Sequence, residues 1–168
     1  MPPHDPNAFR SPLSGSIAAQ LRMVHRLFVR DLEQFLAEYR INIGMWYFFR
    51  ALWEEDGLSQ RELSDRAGET SAAAVAQLRS MEARGYITRH VNKNDKRKIC
   101  VFLTDEGRRF KFLLAYAAEL QSVALEGLTE GEIGFLRLVL ARMKESFARR
   151  AAAQRAARRP KKRTPSVV

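Results

Sequence analysis

One cysteine in a chain of 168 residues excludes an internal disulfide and fits a reducing compartment. No apolar run approaches the roughly 20 residues that a membrane-spanning helix requires. His4, His25 and His90 lie far apart, with no paired Cys or His spacing, so no metal site is legible. A nucleophile with its base, a carboxylate pair and a phosphate loop are all missing; the chain is therefore not read as an enzyme, and no cofactor is expected. Pro2, Pro3 and Asp5 open the sequence without the apolar core of a secretory signal. A soluble cytoplasmic protein without membrane association is expected. Acidic residues are absent from positions 149–168, which carry eight of the 29 Lys and Arg; positions 1–148 then hold 21 cations against 19 acids. The net charge of +10 therefore overstates the basicity of the folded part.

Two alternating runs face each other between Gly85 and Thr104. Ile87, Arg89 and Val91 are answered by Ile99, Val101 and Leu103 on the period of two that marks a hairpin. The intervening loop carries Lys93, Lys96, Arg97 and Lys98 with the single acid Asp95. Such a tip is either a solvated turn or an insert suited to a narrow polyanionic groove. Upstream, Ser59-Gln-Arg-Glu62 is a capping box, in which the serine and glutamate satisfy each other's backbone N–H groups. The helix it opens turns Leu58, Leu63 and Ala67 inward and ends at Gly68, where a left-handed or tight conformation is needed. Thr70 or Ser71 caps a second helix, which runs through Ala74, Leu78 and Met81 to Gly85, with Arg84 in its last turn. Two short helices about a tight turn, followed by a hairpin, predict a winged helix-turn-helix.

The run from Asn42 to Thr104 resembles the DNA-binding lobe of the MarR (multiple antibiotic resistance regulator) family of bacterial transcription factors. The resemblance is carried by Trp46, by Leu58-Ser-Gln-Arg-Glu-Leu-Ser64, by Met81-Glu-Ala-Arg-Gly-Tyr-Ile87, and by Asp95-x-Arg97 followed by Leu103-Thr104. It covers about sixty residues closely, and the Asp-x-Arg wing is its most specific part. Outside that lobe the chain reads as long helices. Ile17, Leu21, Val24, Phe28, Leu32, Phe35 and Tyr39 form one apolar stripe, and Phe110, Leu113, Leu114, Ala117, Leu120 and Ala124 form another. A second capping box, Thr129-Glu-Gly-Glu132, opens a third helix with Ile133, Leu136, Leu140, Met143 and Phe147 inward. These stripes close on each other within one chain or between two, and the better solution is an intertwined homodimer.

The fold class is therefore mainly α with a small β-wing (α+β), a winged helix-turn-helix lobe flanked by long helices that form an intertwined dimer. The expected segments are an N-terminal arm (1–15), a dimerisation helix (16–41), the winged lobe (42–104), C-terminal dimerisation helices (105–157) and a basic tail (158–168). The tail either adds non-specific affinity or is a disordered solubilising extension. The resemblance implies a repressor of a pseudo-palindromic operator in double-stranded DNA, released by a small effector. Two alternatives stand beside it: an architectural DNA binder blind to effectors, and a winged helix used for protein contacts.

The residues expected to meet DNA are Ser59, Arg61, Thr70, Ser71, Ala72, Ala73, Ala76, Gln77 and Arg79 on the two helices, with Lys93, Asp95, Lys96, Arg97 and Lys98 on the wing. Ala72, Ala73 and Ala76 are assigned to thymine methyl groups, and Ser71, Gln77 and Arg79 to hydrogen bonds. An Ala-rich helix is equally explained by helix propensity. Arg97 is placed in the minor groove with Lys96 and Lys98 on phosphates, while Asp95 pins the turn or holds Arg97.

Trp46, Tyr47, Phe48, Phe49 and Trp53 are five of the chain's 16 aromatic residues and crowd one helix beside Arg50. They are either core or the wall of a ligand site. Effectors in the resembled family are frequently aromatic acids, so an aromatic carboxylate or its thioester is implied, with Trp46, Phe49 and Trp53 as walls and His25, Arg26 or Arg50 as anchor. Cys100 alternates out of register with Ile99 and Val101, which predicts partial exposure; redox sensing through it is not expected, because thiol sensors of the family carry theirs near the N-terminus.

Overall fold

The computed structural model describes residues 16–92 and 94–157, excluding the side chains of Ser71 and Arg155. The expected N-terminal arm, the basic tail and Lys93 lie outside the described residues. Seven α-helices and one hairpin follow in order: α1 (Ile17–Ala37), α2 (Ile43–Glu54), α3 (Gln60–Ala67), α4 (Ser71–Ala83), β1 (Ile87–Val91), β2 (Ile99–Leu103), α5 (Asp105–Arg109), α6 (Leu113–Ala124) and α7 (Glu130–Ala157). A 3-10 turn, Phe110–Phe112, joins α5 to α6. The contacts divide the chain into two compact units, one ending at Val123 and the other beginning at Ala124. The stretch expected as C-terminal dimerisation helices is thus split, with α5 and nearly all of α6 in the unit of the winged lobe.

Side-chain caps start the helices where the sequence places them. Asn42 Oδ1 accepts from Met45 N at 2.9 Å to open α2. Ser59 Oγ accepts from Glu62 N at 3.3 Å while Ser59 N donates to Glu62 Oε2 at 2.9 Å, completing the capping box of α3. Thr70 caps α4, and Thr104 caps α5. Gly68 ends α3 with φ of 70°, the left-handed conformation in which a side chain is penalised. In the second unit, Thr129 and Glu132 reproduce the reciprocal box at the start of α7.

The core of the first unit is built around α2. Met45, Trp46, Phe48, Phe49 and Leu52 are buried together with Leu32 and Leu36 of α1, Leu63 of α3, Ala74, Leu78 and Met81 of α4, Ile87 of β1, Val101 and Leu103 of β2, and Leu113 of α6. Phe110, Leu114, Ala117 and Leu120 pack against this cluster, so the apolar face of α6 is partly used within the chain.

The strands are antiparallel in the expected register, with Ile87 opposite Leu103, Arg89 opposite Val101 and Val91 opposite Ile99. Their burial departs from strict alternation. Ile87, Val101 and Leu103 are buried, whereas Val91 and Ile99, at the far end, are exposed. Cys100, expected to be partly exposed, is buried. The reason is a neighbouring segment invisible to a two-strand pattern: Ser59 forms an isolated bridge with Cys100, Val101 N donates to Leu58 O at 2.8 Å, and Asn92 Nδ2 lies 3.4 Å from Cys100 Sγ.

A close backbone approach locks α5 to the hairpin. A Cβ on Gly107 would lie 2.2 Å from the carbonyl oxygen of Tyr86, and Trp53 Nε1 donates to Gly107 O at 3.2 Å. Gly107→Ala should therefore destabilise the fold by about 1–3 kcal/mol despite alanine's better helix propensity. Urea denaturation would measure it, and unchanged stability would show that α5 is free to shift.

Candidate nucleic-acid interface

The wing tip is organised by two short side chains. Asn92 Oδ1 accepts from the N–H groups of Asn94 at 2.8 Å and Asp95 at 3.0 Å. Asp95 Oδ1 accepts from Arg97 N at 3.1 Å and from Arg97 Nε at 3.3 Å. The aspartate thus pins the turn and holds the arginine at once. The Arg97 side chain is 93% exposed all the same. Lys96 and Lys98 beside it are exposed as well. An open groove of about 490 Å³ runs from this tip to the start of α3, lined by Arg61, Glu62, Arg97 and Lys98 among others.

On α4, Ala72, Ala76 and Arg79 are exposed, as is the N-cap Thr70, while Ala73 is half-buried. Two expected contacts are placed otherwise. Ser59 is buried, and its hydroxyl is committed to Glu62, donating to Oε2 at 2.6 Å. Gln77 is turned against α2, where its Nε2 would lie 2.5 Å from a Cβ on Gly44. Gly44 leaves the room that this glutamine occupies, a pairing of distant positions that no local pattern announces.

Polar clamps missed by sequence reading fix α4 and the wing to the lobe. Glu82 on α4 accepts from Arg89 Nε on β1 at 2.9 Å. Asp56 Oδ1 accepts from Leu103 N at 2.9 Å, and its Oδ2 accepts from Arg108 Nη1 at 2.9 Å. Arg108 Nη2 in turn donates to Leu103 O at 3.0 Å. Arg84, expected only as a helix-end charge, donates to Arg40 O at 2.6 Å, and Arg40 itself adopts φ of 57°.

Of the aromatic residues considered for an effector wall, Trp46 and Phe49 are buried in the core. Trp53 is partly buried, stacked on Phe49 with ring centroids 5.1 Å apart. The remaining candidates are His25, Arg26 and Arg50, all exposed. His25 Nε2 lies 3.4 Å from the hydroxyl of Tyr47, and Arg50 is close enough to act on that phenol electrostatically. Burial raises the Tyr47 pKa above its ordinary value, while Arg50 opposes the rise. Among the described residues no cluster of His, Cys, Asp or Glu could hold a metal, and no helix is long and apolar enough to cross a membrane.

Residues 42–99 match the MarR family model. A curated HTH-type transcriptional regulator, TtmR of Methylorubrum extorquens, is 31% identical over 107 residues, 64% of this chain and 53% of that protein. Among solved structures, a MarR family transcriptional regulator from Listeria monocytogenes complexed with a 26mer DNA superposes with a TM-score of 0.77 at 24% identity, covering 86% of this chain and 97% of that one. Bordetella bronchiseptica BpsR, described for regulation of its DNA binding by 6-hydroxynicotinic acid, gives 0.72 at 18% identity over 80% of this chain and 96% of that one. The likeness to the MarR model is thus confined to the winged lobe, and the solved structures share its fold. The chain spans about half the length of the first two curated relatives, at 53% and 56%. The matched segment runs from the cap of α2 to the first residue of β2 and so takes in the helix pair and the wing loop.

Within the winged lobe the Glu82–Arg89 pair makes a pH-dependent contribution. The Arg89 hydrogen bond holds the Glu82 carboxyl below its ordinary pKa of 4.5. A carboxylate lowered in the folded state stabilises above its unfolded pKa, and that contribution is lost as pH falls through the folded value. Because both groups are partly exposed, the neutral-pH contribution is at most about 1 kcal/mol. Urea melts from about pH 7 down to about pH 3 should show Glu82→Gln less stable at neutrality and less sensitive to acid than the parent. Parallel pH profiles would remove this role.

Proposed function

We propose that two copies of this chain bind one pseudo-palindromic operator, with α4 of each in successive major grooves roughly 34 Å apart and each wing in the flanking minor groove. Binding represses transcription from an overlapping promoter. The observation that carries this reading is the wing tip, where Asn92 and Asp95 fix a turn whose Arg97, though held by Asp95, is almost wholly exposed and can meet a phosphate-lined groove. The likeness to a structure solved with DNA supports it. Ser59 acts as a structural cap in this arrangement, and Arg61, Lys96 and Lys98 serve the phosphates.

The homodimer is supported by apolar side chains left uncovered on a single chain. Ile17, Met23 and Val24 on α1 are 60%, 51% and 52% exposed, and Phe135 and Phe147 on α7 are 67% and 68% exposed. Apolar faces of this kind mark an interface. The effector in this reading is an aromatic carboxylate or its thioester, held beside α1 and α2 by His25, Arg26 or Arg50, with Trp53 and Tyr47 for apolar contact. Occupancy releases the DNA. The regulation of BpsR by an aromatic acid supports that ligand class.

Arg97→Ala should weaken duplex binding and reduce the slope of log affinity against log salt by about one, as gel shifts across a salt series would show. Unchanged affinity and slope would remove the wing from the interface. Sedimentation of the full chain should give a dimer at micromolar concentration; a single-chain species would end the two-fold model. Melting curves with a panel of aromatic acids should rise for a ligand that binds only the folded form.

A further inference from the structure

The outward face of α4 is apolar at its centre. Ala72, Val75, Ala76 and Arg79 recur at positions i, i+3, i+4 and i+7 and are all exposed, while Ala74, Leu78 and Met81 are buried on the other side. The other long polar side chains of the helix are engaged within the lobe: Gln77 against Gly44, and Glu82 with Arg89. Arg79 is left, among the described side chains of α4, as the long polar group facing outward. Val75 is 38% exposed and, among the described residues, is the one large apolar side chain classed as exposed between Leu27 and Val91. A β-branched residue is a poorer helix former than the alanines around it, and here it fills no core position. More than a third of it is left uncovered in the single chain.

We infer that Val75 is the specificity-determining residue of α4, and that the group it recognises is the 5-methyl of thymine in the major groove. The T methyl is the apolar feature that groove offers, and Val75 is the largest apolar side chain on this face, reaching further than Ala72 and Ala76, to which the sequence alone assigned that contact. Ala72 and Ala76 on either side keep the surface low, so the helix can approach the base edges closely. Arg79 adds the polar contact at the end of the same face. The preferred duplex therefore carries thymine at the centre of each half-site. This inference rests on the DNA-binding reading above and adds to it the chemistry that is read.

The test begins with selection by the full chain from a pool of randomised duplexes. Each thymine of the enriched half-site is then replaced by uracil, which removes the methyl group and keeps the base pair. The parent protein should bind the substituted duplex about threefold to fivefold more weakly at the position facing Val75, the ratio expected for one buried methyl. Val75→Ala should bind thymine and uracil versions equally while melting like the parent. A uracil penalty that survives in Val75→Ala, or an enriched half-site without thymine, overturns the inference and leaves DNA binding intact. Failure to enrich any duplex is a separate result that overturns both.

Discussion

The winged lobe depends on the burial of α2. Seven of its twelve residues are buried, including Trp46, Phe48 and Phe49 at 1% exposure or less. Each such side chain stabilises the fold by roughly 1.5–3 kcal/mol when fully removed from water. Because α2 is apolar on most of its circumference, the end of α1 and both helices of the motif pack on it at once, while Tyr86, Phe110 and α5 meet it at Phe49 and Trp53. Their relative positions follow from a shared support rather than from contacts between neighbours alone.

Apolar packing sets the arrangement, and a few directional contacts fix its orientation. Asp56 joins the turn before α3 to the end of β2 and to α5, while Glu82 ties α4 to β1. Each is a partly exposed pair of modest strength. Their value lies in geometry, since a carboxylate that accepts from a backbone N–H and a guanidinium admits few alternative placements. The wing tip continues the same logic, with Asn92 and Asp95 holding a loop that has no core of its own. In the proposed DNA-binding reading α4 and Arg97 must arrive together, and these contacts hold the lobe parts that carry them.

The candidate site was legible where its chemistry is local. The capping box at Ser59, the glycine at position 68 and the Asp95–Arg97 spacing each describe a structure formed within a few residues. The hairpin register was legible for the same reason, because facing strands share one period. The sequence did not reveal that Gln77 turns inward, that Ser59 is consumed by its own cap, or that Cys100 is covered. These outcomes depend on Gly44, on the depth of the α3 entry and on the segment at Leu58, which meet those positions only after folding. The aromatic run shows the same limit: its composition allowed core or ligand wall, and burial placed Trp46 and Phe49 in the core.

By itself, the sequence determined where helices start, which faces are apolar, that a charged hairpin follows a helix pair, and which family the lobe resembles. Those properties are periodicities and capping chemistries, and they act between residues a turn or a hairpin apart. Tertiary structure decided which side chains are available to a partner. Exposure depends on what long-range packing places over a residue, and it left Arg97 and Val75 open while taking Ser59, Gln77 and Cys100 inward.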